Sequence, residues 1–249
     1  MNRYFEQLLI CVFVSLSATA VWAGQDVDQT KGPKEENAIL ITAEQLEKRL
    51  SDKNIRIIDV RPRETYQLSH IPGAVHVDVG DWKKLAVAEG GLQDAKGWSK
   101  NLSPLGIQAK SQVVVYGDKI SNTARIWWLL KYVGVEKVSL LDGGWDWWTK
   151  NGGAVDKTIS APAATVFKPK FQADRLAEKA AVQNSLKNEK TKIVDTRSDE
   201  EFSNGRIPQS VHLEWKHLLK DDGRFKARDE LNKVFTEKDI LPDDTAVCY

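Results

Sequence analysis

Short apolar runs alternate with helical patterns through the middle of the chain. The runs Ile55–Val60, Val113–Tyr116 and Val138–Leu141 have the length and apolar content of strands buried inside a sheet. Between the last two, Asn122–Val133 places apolar side chains at helical spacing and is followed by Gly134, a common helix terminator. Strands that alternate with helices predict a mostly parallel α/β sheet.

An earlier helix is predicted ahead of the first run. Thr42 with Gln45 three residues later forms a capping-box pattern, and the stretch Ile39–Leu50 is interpreted as helical. The residues that precede it, 24–37, are polar and charged, which favours a lead-in outside the fold.

The pattern occurs twice. Ile57–Arg61 (IIDVR) recurs 136 residues later as Ile193–Arg197 (IVDTR), and Ile107–Tyr116 aligns with Ile240–Tyr249 at an offset of 133. We therefore predict two tandem α/β domains, each with a central parallel sheet flanked by helices. The second is expected to be incomplete, because its alignment stops where the first continues from Gly117. The predicted divisions are a signal peptide at 1–23, a first domain at 38–153, a linker and lead-in at 154–185, and a partial second domain at 186–249.

The N-terminal pattern indicates export. An apolar run from Leu8 to Val21 follows Arg3 and ends in a small-residue site at Ala23, which is typical of a secretory signal peptide cleaved after that residue. The run is short for a membrane span. We expect a periplasmic or secreted protein that has no membrane attachment after cleavage.

Charge and cysteine content narrow the function. Lys plus Arg number 36 and Asp plus Glu 35, so no excess of positive charge indicates a nucleic-acid partner. Of the two cysteines, Cys11 falls in the signal peptide, which leaves Cys248 without an internal disulfide partner. The four histidines lack the spacing of a metal motif, so no metal site is predicted.

Several motifs follow one another in order along the two domains, and the family resemblance that they carry extends over roughly residues 38 to 249. The motifs are Asp59-x-Arg61 with Glu64, His70–Ala74, Arg125–Leu130, Leu141–Gly144 and, in the second domain, Asp222–Lys226.

These motifs resemble those of tandem rhodanese domains, and the last one resembles the thiosulfate sulfurtransferases of that family. The resemblance implies a cysteine at the start of a loop that opens a helix, where loop N–H groups and the helix N-terminus stabilise its thiolate. It implies covalent transfer of sulfane sulfur through a persulfide, from a small anionic donor such as thiosulfate to a thiol or cyanide acceptor. No metal or organic cofactor is implied.

The alignment indicates where that cysteine belongs. The first domain has Gly117-Asp118 at the position and is interpreted as the inactive copy. In the second domain the nucleophile is expected directly after Tyr249, so the 249-residue chain is expected to be inactive. Cys248 lies two residues before that position and inside a strand. We interpret it as a core residue, and a catalytic or resolving thiol is the weaker alternative.

Arg197 is the predicted substrate-binding residue. In the family, the matching arginine of the active copy lies near the persulfide and holds the anionic substrate, and a structural ion pair with Asp195 or Glu200 is the alternative. Its counterpart Arg61 is given a structural role. Asp59 and Asp195 are expected to bind loop N–H groups.

Two clusters of side chains have open interpretations. The first is a set of tryptophans, assigned to packing in the core and between domains: Trp127, Trp128, Trp145, Trp147 and Trp148. The second is a basic run, interpreted as a solvated face or as a rim that gathers anions: Lys216, Lys220, Arg224 and Lys226.

Two other functions remain open at this stage. A rhodanese fold that lacks its nucleophile could serve as a non-catalytic binding protein. A relative with a longer loop could act as a phosphatase or arsenate reductase. Tandem duplication and the Asp222–Lys226 motif favour sulfur transfer over both.

Overall fold

The computed structural model describes residues 38–249, so the predicted signal peptide lies outside the described residues. Eight strands occur in this part of the chain. They are β1 (Leu40–Ile41), β2 (Ile55–Asp59), β3 (Val75–His76), β4 (Gln112–Tyr116), β5 (Lys137–Leu141), β6 (Thr191–Asp195), β7 (Val211–His212) and β8 (Thr245–Cys248).

The strands form two parallel sheets. The first has the order β1-β5-β4-β2-β3 and the second the order β7-β6-β8, with every pairing parallel. This confirms the predicted fold class of two α/β units, the second sheet being smaller. We call residues 38–153 the first repeat and residues 186–249 the second repeat.

Nine α-helices flank these sheets within residues 38–249. They are α1 (Ala43–Glu47), α2 (Arg63–Leu68), α3 (Val79–Val87), α4 (Ala95–Leu102), α5 (Ile120–Tyr132), α6 (Gly144–Lys150), α7 (Lys179–Ser185), α8 (Asp199–Ser203) and α9 (Arg228–Glu237). None of the helices in this range is long and apolar enough to cross a membrane.

The prediction of a helix across Ile39–Leu50 is wrong at both ends. The capping box of Thr42 and Gln45 is present, so α1 starts after Thr42, but Leu40 and Ile41 form β1 beside β5. Thr42 has an extended backbone conformation, which separates the strand from the helix. The predicted helix at 122–133 starts earlier, at Ile120.

The two repeats share strand register as well as sequence. Ile58 pairs with Val115 in the first sheet, and their sequence counterparts Val194 and Cys248 pair in the second. The duplication inferred from the sequence is therefore confirmed in the backbone pairing.

Burial on both faces explains the apolar central strands. In β4, Val113 and Val115 belong to one hydrophobic cluster, whereas Val114 and Tyr116 belong to another on the opposite side of the sheet. All four are buried, because helices cover both faces.

The segment between the repeats packs on the first repeat. Phe167 is 1% exposed, and its carbonyl accepts a hydrogen bond of 2.7 Å from the Ser99 hydroxyl. Lys170 N–H donates to Val133 O at 2.9 Å. Although the sequence of this segment lacks periodicity, its backbone and one aromatic side chain complete the core of the first repeat.

This packing predicts a contrast between two adjacent residues. Phe167→Ala should lower the free energy of unfolding by about 3–5 kcal/mol, because it empties a filled core site. Val166→Ala, at a side chain that is 78% exposed, should change it by less than about 0.5 kcal/mol. Urea unfolding measures both, and equal losses would mean that this segment is not part of the core.

Candidate active site

A buried ion pair closes the central strand of the second repeat. Asp195 ends β6 and is fully buried, and its carboxylate accepts hydrogen bonds from Arg197 N at 3.1 Å and Arg197 Nε at 2.8 Å. Arg197 Nη2 contacts the other carboxylate oxygen at 2.5 Å and donates to Gly205 O at 2.7 Å. The pair thus fixes the turn that leaves the strand.

The first repeat contains the same arrangement. Asp59 Oδ1 accepts from Arg61 N at 2.9 Å and from Arg61 Nε at 3.1 Å, and Arg61 Nη2 donates to Ser69 O at 2.6 Å. The expectation that both aspartates bind loop N–H groups is confirmed. The ion pair named as the alternative role of Arg197 is present, and its role in substrate binding stays a prediction.

Electrostatics keep this pair charged. Burial raises the pKa of the Asp195 carboxyl, but hydrogen bonds from Arg197 and Tyr249 outweigh burial and hold the pKa below its usual value. The hydrogen bond with Asp195 raises the pKa of the Arg197 guanidinium. A cation is therefore held at the carboxyl end of β6.

Tyr249 links the end of the neighbouring strand β8 to the Arg197 guanidinium. Tyr249 follows β8, and its ring centroid lies 5.2 Å from the guanidinium carbon of Arg197. Its carbonyl accepts hydrogen bonds from Thr196 N at 2.9 Å and Thr196 Oγ1 at 2.8 Å, and its hydroxyl accepts from Ile207 N at 2.9 Å. The carboxyl end of β8 therefore lies directly beside the Asp195–Arg197 turn.

The equivalent position of the first repeat is closed. Gly117 O accepts a hydrogen bond of 3.0 Å from Trp145 N, and a Cβ added at Gly117 would lie 2.8 Å from Val60 Cγ2. The Trp145 ring covers the Arg61 guanidinium at 3.6 Å. A thiol-bearing side chain at Gly117 would require its neighbours to move.

Cys248 occupies a strand position, as the sequence indicates. It is the last residue of β8, pairs with Val194 and is half-buried against the core. The structure places it one residue before Tyr249, on the strand rather than on a loop.

The side chains of the basic run have partners of their own. Lys216 pairs with Glu214 at 2.9 Å, and Lys226 Nζ donates to His217 O at 2.7 Å. The guanidinium carbon of Arg224 lies 3.9 Å from the Trp147 ring centroid in the first repeat. This last contact agrees with the predicted tryptophan packing between domains.

Two histidines hold the backbone of these turns. The Nε2 atoms of His76 and His212 lie 2.8 Å and 2.9 Å from the carbonyl oxygens of Arg61 and Arg197 respectively. Each histidine thus holds the backbone of its arginine. The two histidines recur at the repeat offset of 136, but the sequence does not specify the carbonyl that each contacts.

The ion pair makes the stability of the second repeat depend on pH. Asp195→Asn should cost about 3–5 kcal/mol at neutral pH, because it leaves Arg197 without its buried counter-charge. The folded pKa of Asp195 lies below the unfolded value of about 3.9. The contribution is therefore complete above the unfolded pKa and is lost as the pH falls through the folded pKa. Urea unfolding should show that the difference in free energy of unfolding between wild type and Asp195→Asn decreases below about pH 4. A difference that does not change with pH would refute a stabilising role of the Asp195–Arg197 ion pair.

Comparison with known proteins agrees with this geometry. The profile of the rhodanese-like domain family matches residues 42–151 and 178–249. The chain is 28% identical over 201 residues to thiosulfate sulfurtransferase of Gallus gallus, which covers 75% of this chain and 70% of that protein. It is 28% identical over 194 residues to thiosulfate sulfurtransferase of Bos taurus, covering 72% of this chain and 65% of that protein.

A solved structure has the same fold. The crystal structure of SseA from Escherichia coli, described with the rhodanese fold among 3-mercaptopyruvate sulfotransferases, superposes with a TM-score of 0.73 at 23% identity. The superposition covers 85% of this chain and 88% of that one. The profile spans both repeats, and the chain therefore belongs to the rhodanese-like domain family.

Proposed function

We propose that this protein is a sulfurtransferase that moves sulfane sulfur from thiosulfate, or a related donor, to a thiol or cyanide acceptor. The observation that carries the proposal is the fixed cation Arg197 beside the carboxyl end of β8, in a family where the relatives named above are thiosulfate sulfurtransferases. An anionic donor needs such a cation.

The proposed nucleophile is a cysteine thiolate directly after Tyr249, the position that aligns with Gly117. The thiolate attacks the outer sulfur of thiosulfate, the sulfur–sulfur bond of the donor breaks, and sulfite leaves with the bonding electrons. The persulfide then meets cyanide, whose carbon takes the outer sulfur as thiocyanate and regenerates the thiolate. No net oxidation or reduction of the protein remains after the two steps.

Arg197 would bind the donor electrostatically. Asp195 and Gly205 O hold two of its nitrogens, so the guanidinium plane has one orientation at the end of β6. A cation that is already oriented stabilises the sulfonate charge without reorganising when sulfite leaves. Asp195 and His212 act here as positioning residues, since they hold the side chain and the backbone of Arg197 respectively.

The first repeat would not carry out the chemistry. Gly117 supplies no thiol, and the Trp145 ring encloses Arg61, which is 4% exposed. This supports a division of labour in which only the second repeat binds the donor.

The two arginines provide a matched pair of variants. In a chain extended beyond Tyr249 and active, Arg197→Ala should lower kcat/KM for thiosulfate by about 10- to 150-fold, because one charge-assisted contact to a bound anion is lost. Arg61→Ala should lower the melting temperature at least as much while it leaves kcat/KM nearly unchanged. Steady-state kinetics and thermal unfolding of both variants test whether Arg197 binds the donor. Equal losses of kcat/KM in the two variants would leave Arg197 with a structural role only.

Thiocyanate formation from thiosulfate and cyanide tests the function itself. The 249-residue chain should form none, because Cys248 lies on a strand and lacks converging N–H groups. A chain extended by the codons that follow Tyr249 in the gene should be active. No activity in the extended chain would favour a binding protein, and release of phosphate from an aryl phosphate would favour the phosphatase-like alternative. Activity in the short chain that is lost on Cys248→Ser would show that Cys248 is the nucleophile.

A further inference from the structure

A tight hairpin in the second repeat reaches the first repeat. Residues 218–226 fold back through an antiparallel bridge between Leu219 and Phe225, with Lys220 N–H donating to Arg224 O at 2.7 Å. Gly223 allows the turn by adopting a φ of 82°. We call residues 218–226 the latch.

The tip of the latch contacts the end of β5 and the start of α6. Phe225 N–H donates to Asp142 Oδ1 at 2.8 Å, and the Arg224 guanidinium lies 3.9 Å from the centroid of the Trp147 ring. The fit at this contact is close, because a Cβ added at Gly143 would lie 2.9 Å from Arg224 Cγ and 2.3 Å from Trp147 Cβ.

Asp222 orients the guanidinium of Arg224 that faces the Trp147 ring. Asp222 Oδ2 accepts hydrogen bonds from Arg224 Nε at 3.0 Å and Arg224 Nη2 at 2.7 Å, while Asp222 Oδ1 accepts from Arg224 N at 3.1 Å. These hydrogen bonds hold the guanidinium of Arg224 within the hairpin. Its flat face remains available to the indole of Trp147, which is a favourable cation–π arrangement.

Apolar side chains continue the contact beneath the tip. Phe225 is buried, and together with Trp215 and Leu218 it lines a narrow crevice whose other wall includes Ile120 and Ala124 of α5. Both α5 and the end of β5 flank Gly117. The latch therefore lies against the elements that surround the closed site of the first repeat.

The corresponding turn of the first repeat packs on its own repeat. When the offset of 133 that aligns Ile107–Tyr116 with Ile240–Tyr249 is extended back to this turn, Gly223 matches Gly90, which has a φ of 68°, and Arg224 matches Gly91. A Cβ on Gly91 would lie 1.8 Å from Leu85 O, so that turn folds onto its own repeat and has no room for a side chain. The arginine is thus specific to the second repeat, where the partner tryptophan lies in the first.

The latch is connected to the proposed site by a short stretch of backbone. Trp215 N–H donates to Thr196 O at 3.2 Å, and Leu213 N–H donates to Asp195 O at 2.9 Å. Three residues separate Leu218, at the base of the latch, from Glu214, the neighbour of both donors. Displacement of the latch would therefore pull on the turn that orients Arg197.

We propose that the latch is the device by which the first repeat positions the sulfur-transfer site of the second, with Arg224 as the positioning residue and Trp147 with Asp142 as its receptor. The first repeat then contributes to the reaction by docking the latch. The effect on catalysis rests on the proposed function, whereas the docking itself does not.

Hydrogen exchange of the full chain tests docking without any assay of activity. Arg224→Ala should make backbone amides of residues 141–148, in the other repeat, exchange about tenfold faster. Arg228→Ala, at an exposed arginine four residues along, should leave them unchanged. In a chain that already carries Trp147→Leu, Arg224→Ala should not increase the exchange rate of residues 141–148 further, because the two side chains form one contact. Unchanged exchange at 141–148 in Arg224→Ala, or additive effects, would overturn the latch.

Kinetics of the sulfur-transferring protein test the positioning role. Arg224→Ala should raise KM for thiosulfate by about three- to tenfold, with Arg228→Ala at the wild-type value. Faster exchange with an unchanged KM would overturn the positioning role and leave the docking. If the wild-type chain extended beyond Tyr249 transfers no sulfur, the proposed function fails, and the exchange experiment still decides whether the latch docks.

Discussion

The buried Asp–Arg pair at the end of each central strand is the constraint on which the rest of this structure depends. It neutralises a carboxylate that would otherwise be very costly to bury, and the same hydrogen bonds set the direction in which the chain leaves the sheet. In each repeat a tyrosine at the end of the neighbouring strand lies against this pair: Tyr116, the last residue of β4, and Tyr249, which follows β8. The place where chemistry is proposed is therefore determined by a structural ion pair, and Arg197 can serve fold and substrate together.

The two repeats use this common arrangement differently. In the first, the Trp145 ring covers Arg61, and a side chain at Gly117 would require its neighbours to move. In the second, the aromatic cover of Arg197 is Tyr249, and the latch takes the surface residue Arg224 across to Trp147. The first repeat thus provides the surface that Arg224 contacts, and the second repeat carries the proposed site.

The sequence was sufficient for those features that repeat or have a period. The buried strands and the tandem α/β arrangement follow from the apolar runs and the 136-residue offset, and the capping box follows from the spacing of Thr42 and Gln45. The two-residue strand β1 could not be predicted, because so short an element has no period and depends on β5 a hundred residues later. The contacts of Trp145 with Arg61 and of Arg224 with Trp147 depend on packing between distant parts of the chain, for which single residues give no signal.

The most direct test of the account is the mass of the natural gene product after incubation with thiosulfate. We predict a mass increase of one sulfur atom that cyanide removes and that peptide mapping locates on the residue after Tyr249. The fraction of protein that gains this sulfur should be lower in Arg197→Ala. Thiocyanate turnover without such an adduct, or with the added sulfur on Cys248, would contradict it.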